Sequence, residues 1–210
     1  MTRKVLRHPL FIRVTHWVNM IAITSLIISG FYIHNPWKYD FFSTMDAARK
    51  LHFFMMYVVI AGLIARIYFA VATKDYENVW FRLKDLKNFP ALLKYYLFLT
   101  DEHPNWGKYN PGQKLVYSGW GVLLIIQILT GFALYKPDSF PTLAALFGGL
   151  NVARLTHYLV NWIFVITVAI HLYLDLTEGL GIIKSMFTGY ITVEDEETPV
   201  VAKEQIRQTL

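Results

Sequence analysis

Four histidines sit inside the long apolar stretches of this chain: His16, His52, His157 and His171. An ionisable side chain at membrane depth is costly and marks a functional site. Imidazole is also a standard iron ligand. Taken as two pairs at two depths, the four would supply the axial ligands of two haems held between helices. The rival account makes them interhelical hydrogen-bonding groups. One intramembrane histidine fits that account; four at two matched levels do not.

The elements that must position them are four stretches nearly free of charge, each close to the roughly 20 apolar residues that a membrane helix needs. They run over 14–33, 51–73 (interrupted by Arg66), 115–135 and 155–174. The fold expected is an all-α membrane protein: a four-transmembrane-helix bundle holding two haems, a single domain over 1–210 with a loop at 74–114 and a tail at 175–210. Composition agrees. The 210 residues are 55% hydrophobic and only 17% charged, with a mean hydropathy of +0.36, too apolar for an ordinary soluble domain. No small-residue cleavage pattern follows the first run, so it reads as a span, not a leader. No repeat or low-complexity segment is evident.

The chain has no cysteine. That excludes Cys-ligated iron–sulfur clusters, covalently attached haem and thiol chemistry within it. Bis-histidine ligation without an attachment motif implies haem b. The net charge of +5 is no nucleic-acid signal, because the basic residues flank the apolar runs. With four spans, the N-terminus, the 74–114 loop and the C-terminus share one side and carry fourteen Lys and Arg, against five on the other. The positive-inside rule puts both termini in the cytoplasm.

Topology then pairs the histidines: His52 with His157 at the outer level, His16 with His171 at the inner. His157 and His171 are fourteen residues apart, about 21 Å along a helix axis, and only about 40° apart around it. One cofactor per leaflet follows. The same spacing leads from His16 to Gly30, which leaves room for a macrocycle, and from His52 to Arg66. Arg66 either pairs with a haem propionate or snorkels to the interface. Gly119, Gly121 and Gly131 are further candidates for open space, although glycine also serves helix packing. His8, His34 and His103 read as surface residues. The aromatic-rich 89–100 segment is too short to cross and is expected in the cytoplasmic interface. The 140–150 segment is similar on the outer side, and the acidic tail after Gly189 is expected to be solvated.

The strings VTHWVN, RKLHFF, RLTHYLVNW and VAIHLYLDL around the four histidines resemble those of di-haem cytochrome b subunits of respiratory hydrogenases and formate dehydrogenases. RIYFAV, LKYYLFL, ILTGFALY and SMFTGY are similar to the b-type cytochrome subunit of membrane-bound nickel–iron hydrogenase. The resemblance implies that all four histidines are haem ligands in a multi-pass protein of the prokaryotic inner membrane. It implies as partners a hydrogenase small, iron–sulfur subunit with its large, nickel–iron subunit. It also implies a quinone site near the inner haem for menaquinone or ubiquinone. In the formate dehydrogenase branch an Asn-x-Gly-Gln segment lines that site; here Asn110, Gly112 and Gln113 match it, with Pro111 at the variable position stiffening the turn. An amide can donate to a quinone carbonyl, while an Asn-Pro-Gly string also simply makes a turn.

Electrons would thus pass from a hydrogenase through two b haems to quinone. The alternatives are the gamma-type subunit of formate dehydrogenase or a related molybdenum enzyme, a stand-alone quinol-linked cytochrome b, and an anchor without redox function. Asp175 and Glu178 are candidate proton relays or plain interfacial charges.

Overall fold

The structure, a computed structural model, describes residues 2–100, 106, 109–177 and 179–194. His103 and Glu178 lie outside the described residues. Strand β1 (Thr2–Leu6) leads into helix α1 (Leu10–His34), followed by α2 (Met45–Ala72) and α3 (Tyr76–Val79). A 3-10 turn (Leu83–Asn88) precedes α4 (Phe89–Tyr96). Then come α5 (Pro111–Tyr135), α6 (Pro141–Leu146), α7 (Leu150–Thr177), α8 (Leu180–Thr188) and strand β2 (Tyr190–Glu194).

Helices α1, α2, α5 and α7 are each long and apolar enough to cross a membrane. Only a helix or a closed barrel satisfies its own backbone there. Large apolar side chains such as Ile64, Tyr68 and Val71 are exposed, which water would penalise and lipid does not. This is a multi-pass membrane protein built as a four-helix bundle.

The helices start earlier than their apolar runs because caps, not hydropathy, set helix ends. Thr44 Oγ1 accepts the Ala47 amide at 3.1 Å ahead of α2. Asn110 and Gln113 exchange side-chain-to-backbone hydrogen bonds of 2.8 and 3.1 Å at the start of α5, the reciprocal arrangement of a capping box. Gly148 and Gly149, both at positive φ, make the turn into α7.

The chain gathers into two compact units. The first holds Met1–Arg13, Val71–Gly119 and Val168–Leu210; the second holds Val14–Ala70 and Trp120–Thr167. In the first, β1 and β2 pair antiparallel with Thr2 opposite Glu194 and Leu6 opposite Tyr190. Gly189, at φ +90°, ends α8 in the left-handed conformation, and its carbonyl accepts the amides of Arg7 and His8. Arg13 donates to the Phe187 carbonyl in the last turn of α8, where a cation suits the helix end. The stretch after Gly189 is a paired strand as far as Glu194, with Tyr190 and Thr192 exposed as expected of it; the rest of the acidic run lies outside the described residues. His8 is buried, contrary to its reading as a surface residue, since this strand pair and the start of α1 close around it. Residues 89–96 of the 89–100 segment form α4, with Leu92 buried and Leu93 exposed, and Leu97 just beyond it is exposed. Asp85 accepts the Arg82 amide at 2.8 Å and lies 3.5 Å from Lys114 Nζ, tying the 3-10 turn to α5.

Candidate cofactor site

The second unit brings His52 of α2 and His157 of α7 face to face, ring centroids 6.3 Å apart and planes at 57°. His52 Nδ1 lies 2.9 Å from Ser29 Oγ on α1. His157 Nδ1 lies 2.8 Å from Thr130 Oγ1 on α5. Both hydroxyl hydrogens are already committed one turn back: Ser29 donates to the Ser25 carbonyl at 2.6 Å and Thr130 to the Ile126 carbonyl at 2.7 Å. The hydroxyl oxygens must then accept, which puts the ring proton on Nδ1 and leaves a lone pair on Nε2. The His52 ring also hydrogen-bonds the Leu26 backbone, while His157 Nε2 has no hydrogen-bond partner among the described residues.

Between the rings opens a cavity of about 690 Å³, within the usual range for a small-molecule site. Its wall is mainly apolar, with Ile27, Val59, Ile128 and Phe164 among the lining residues. Gly30 backs His52, where an added Cβ would stand 3.4 Å from the ring; Gly131 backs His157, at 3.6 Å. A Cβ at either position would reach ordinary contact with the imidazole, leaving no room for a larger side chain on that side. Gly119 and Gly121 have open space at the corresponding point.

These residues fit a haem. Two metal–imidazole bonds of about 2 Å, as for other metal–histidine sites, plus two ring radii span about 6 Å, the separation observed. Nδ1–H tied to a fixed acceptor is how ligand histidines are oriented and made more basic. The two rings are thus joined to neighbouring helices, as the rival account requires, through Nδ1 to a hydroxyl in each case.

The other candidate residues fall as follows. His16 lies in the same unit, edge-on to Trp17 with centroids 5.2 Å apart. Arg66, also in this unit, places its guanidinium 5.8 Å from the Phe69 ring centroid. His171 lies in the first unit, its Nε2 3.4 Å from Asp175 Oδ2 and its ring 6.3 Å from that of Tyr117. In that unit Asn110 and Gln113 are buried. Asn110 Nδ2 donates to Tyr96 Oη at 2.8 Å, and Tyr173 Oη donates to the Tyr96 carbonyl at 3.2 Å. A Cβ on Gly112 would come within 3.1 Å of the Leu92 side chain, so α4 packs closely here and Leu92 would have to shift slightly to admit one.

Sequence reasoning missed Ser29, Thr130, Arg49, Arg154 and His34, all of them at or in the wall of this site. His34 is exposed, as its reading as a surface residue expects, and its ring also stacks on Tyr158 at 4.1 Å. A signal was present, since Ser29-Gly30-Phe31 and Thr130-Gly131-Phe132 share a pattern, and Arg-x-x-His occurs at both 49–52 and 154–157.

A membrane four-helix bundle with a bis-histidine cleft is the frame of a haem-carrying electron-transfer protein. The family model for prokaryotic cytochrome b561 matches residues 7–189, and the chain belongs to that family, whose cofactor is b-type haem. It is 26% identical over 208 residues to a probable Ni/Fe-hydrogenase B-type cytochrome subunit of Cupriavidus necator, covering 88% of this chain and 85% of the relative. A probable Ni/Fe-hydrogenase 1 B-type cytochrome subunit of Escherichia coli is also 26% identical, covering 89% of this chain and 91% of the relative. A putative protein-methionine-sulfoxide reductase subunit of Azospira oryzae is 27% identical over 173 residues, covering 78% of this chain and 87% of the relative.

Proposed function

We propose that this chain is the membrane cytochrome b subunit of a nickel–iron hydrogenase, passing electrons from the iron–sulfur subunit of that enzyme to the quinone pool. The observation that carries the redox reading is the facing pair His52 and His157, each fixed through Nδ1 by a hydroxyl, which leaves the lone pair on Nε2. The hydrogenase assignment rests on similarity to the Cupriavidus and Escherichia hydrogenase subunits.

A haem bound between these rings supplies a one-electron carrier. His52 and His157 bind and orient it, Ser29 and Thr130 hold the ring protons, and the apolar wall keeps water out. By the sequence argument His16 and His171 supply a second ligand pair; Asp175 Oδ2 lies 3.4 Å from His171 Nε2, the nitrogen that the first pair leaves for iron, and would have to give way to it. Arg66 is a candidate partner for an acid group of that second haem. Both termini lie in the cytoplasm of a prokaryotic cell, and the His52/His157 level faces outward toward the hydrogenase.

The quinone site lies at the start of α5. There the Asn110 amide is engaged by Tyr96 and by the Gln113 backbone. Gln113 uses its oxygen to cap, and its Nε2 makes no hydrogen bond to a described residue. Gln113 is accordingly the donor to a quinone carbonyl. A second reading keeps the cytochrome and changes the partner, to a molybdenum enzyme such as formate dehydrogenase or to another oxidoreductase. The Azospira relative, named for a different reductase, favours keeping it.

The test is to purify the complex in detergent, count haem b per chain and identify the co-purifying proteins. Two haems with a nickel–iron enzyme are expected. One haem refutes the second ligand pair, another enzyme refutes the hydrogenase assignment, and no haem refutes the redox reading.

A further inference from the structure

The wall of the His52/His157 cavity repeats itself. Each α1 residue that lines it has a counterpart 101 positions later on α5: Leu26 with Gln127, Gly30 with Gly131, His34 with Tyr135. Lining residues of α2 recur 105 positions later on α7: Arg49 with Arg154, His52 with His157, Val59 with Phe164. The contacts repeat as well. His52 on Ser29 corresponds to His157 on Thr130. The His34–Tyr158 stack at 4.1 Å corresponds to the Tyr135–Phe53 contact at 4.2 Å. Buried Ala48 corresponds to buried Ala153. Two hairpins, α1–α2 and α5–α7, thus build the site by an approximate two-fold relation.

That relation constrains what the site holds. A two-fold that exchanges His52 with His157 exchanges the two faces of any planar ligand between them, so its axis lies in the plane of the ligand and passes through the metal. In protoporphyrin one in-plane axis exchanges the two propionate-bearing pyrroles. The same operation exchanges Arg49 with Arg154. Each arginine lies three residues before its histidine, on the same helix face and about 4.5 Å nearer the helix start. Both line the cavity, and neither forms an ion pair with a described residue. The opposite end of the cavity is closed by buried Met56, Val59 and Phe164, which suits the methyl and vinyl edge.

Resting on the haem reading above, we infer that Arg49 and Arg154 are a matched pair of propionate anchors, one carboxylate to each, with the acid edge of the macrocycle directed toward the starts of α2 and α7. Guanidinium suits a carboxylate better than ammonium does, through its planar fork. Interfacial snorkelling would place the same charges at helix ends but predicts no dependence of the haem on them.

The experiment follows haem release from the detergent-solubilised complex to excess apomyoglobin in wild type, R49Q, R154Q, the double Gln variant and R49K/R154K. Each Gln substitution should speed release of one haem about tenfold, the worth of one charge-assisted hydrogen-bonded pair, and the double variant about a hundredfold, with the Lys pair in between. A second readout is the midpoint potential of that haem. It should be flat with pH between about 5 and 8 in wild type and sloped in the double Gln variant, because a carboxylate that loses its cation titrates higher. If the double Gln variant incorporates no haem, recovery in R49K/R154K supports the anchoring, and failure of the Lys pair to restore it overturns it. Unchanged release with a flat potential in both single variants overturns the anchoring and leaves the histidine site intact. A wild-type complex without haem overturns the reading beneath it.

Discussion

Replacing Thr130 by valine keeps the shape of a side chain that is 0% exposed and removes one oxygen. That oxygen is the acceptor for His157 Nδ1–H at 2.8 Å. Its own donation to the Ile126 carbonyl costs little to lose, because that carbonyl keeps its intrahelical bond. The consequence therefore falls on the imidazole. A buried N–H left without an acceptor costs about 1–3 kcal/mol, and removing the outer partner of a metal-bound histidine commonly weakens metal affinity about 10–100-fold. The two figures agree, since tenfold corresponds to about 1.4 kcal/mol. Haem release from the His52/His157 site should then be about 10–100 times faster in Thr130→Val. The midpoint potential of that haem should rise, because a ring that no longer donates through Nδ1 is less basic and stabilises the oxidised iron less. Thr130→Ser keeps the acceptor and should stay near wild type. Ser29→Ala should copy the valine effect on the His52 side. Apomyoglobin transfer gives the rates and a redox titration of the α-band the potential. Wild-type release and potential in Thr130→Val would refute the claim that the hydroxyl fixes the ligand.

Three further expectations follow from the same geometry. His157→Ala removes an iron ligand, and haem content by pyridine haemochrome should fall by the share of one site; undiminished content would remove His157 from the ligand set. Gly30→Val adds two methyls beyond a Cβ that would itself stand 3.4 Å from the His52 ring, so it should displace the imidazole and weaken haem binding about 5–150-fold, the equivalent of roughly 1–3 kcal/mol of overpacking. Gln113→Glu keeps an oxygen to cap the Asn110 amide and removes the Nε2 donor; quinone reduction by the purified complex should slow about tenfold or more with haem content and thermal stability held, whereas unchanged quinone kinetics would reduce Gln113 to a cap.

What the sequence made legible was whatever depends on bulk hydropathy or on a rare residue in an apolar setting. The four spans and the histidines at 52 and 157 belong to that class, since an ionisable group among lipid-facing side chains is too costly to persist without a use. Helix starts were less legible because Thr44 and Asn110 set them through hydrogen bonds, several residues before the hydropathy rises. The β1–β2 pair was not legible at all: Thr2 meets Glu194 across nearly the whole chain, and no local pattern announces such a partner. Ser29 and Thr130 escaped notice for a different reason. Serine and threonine are ordinary in membrane helices, where they bond back to their own carbonyls, and these two do so. Their second role as acceptors for a histidine on the next helix appears only when the helices are assembled.

The two-fold in the site accounts for why a repeat built on function is hard to see by identity. Residues that touch what a planar ligand needs are held nearly constant between the halves: Arg49 and Arg154, His52 and His157, the hydroxyls of Ser29 and Thr130, the missing side chains of Gly30 and Gly131. Residues that only fill volume are free to differ, since cores accept apolar swaps that conserve size. Leu26 and Gln127 depart furthest, and the departure has a local use: Gln127 Nε2 donates to the His157 carbonyl at 3.1 Å, a bond that leucine at the α1 position cannot make toward His52. One histidine of the proposed pair is thus held at ring and backbone, the other at the ring alone. If the two rings hold a haem as proposed, they would do so unequally, and the His52 side is the one that a mutation should shift more readily.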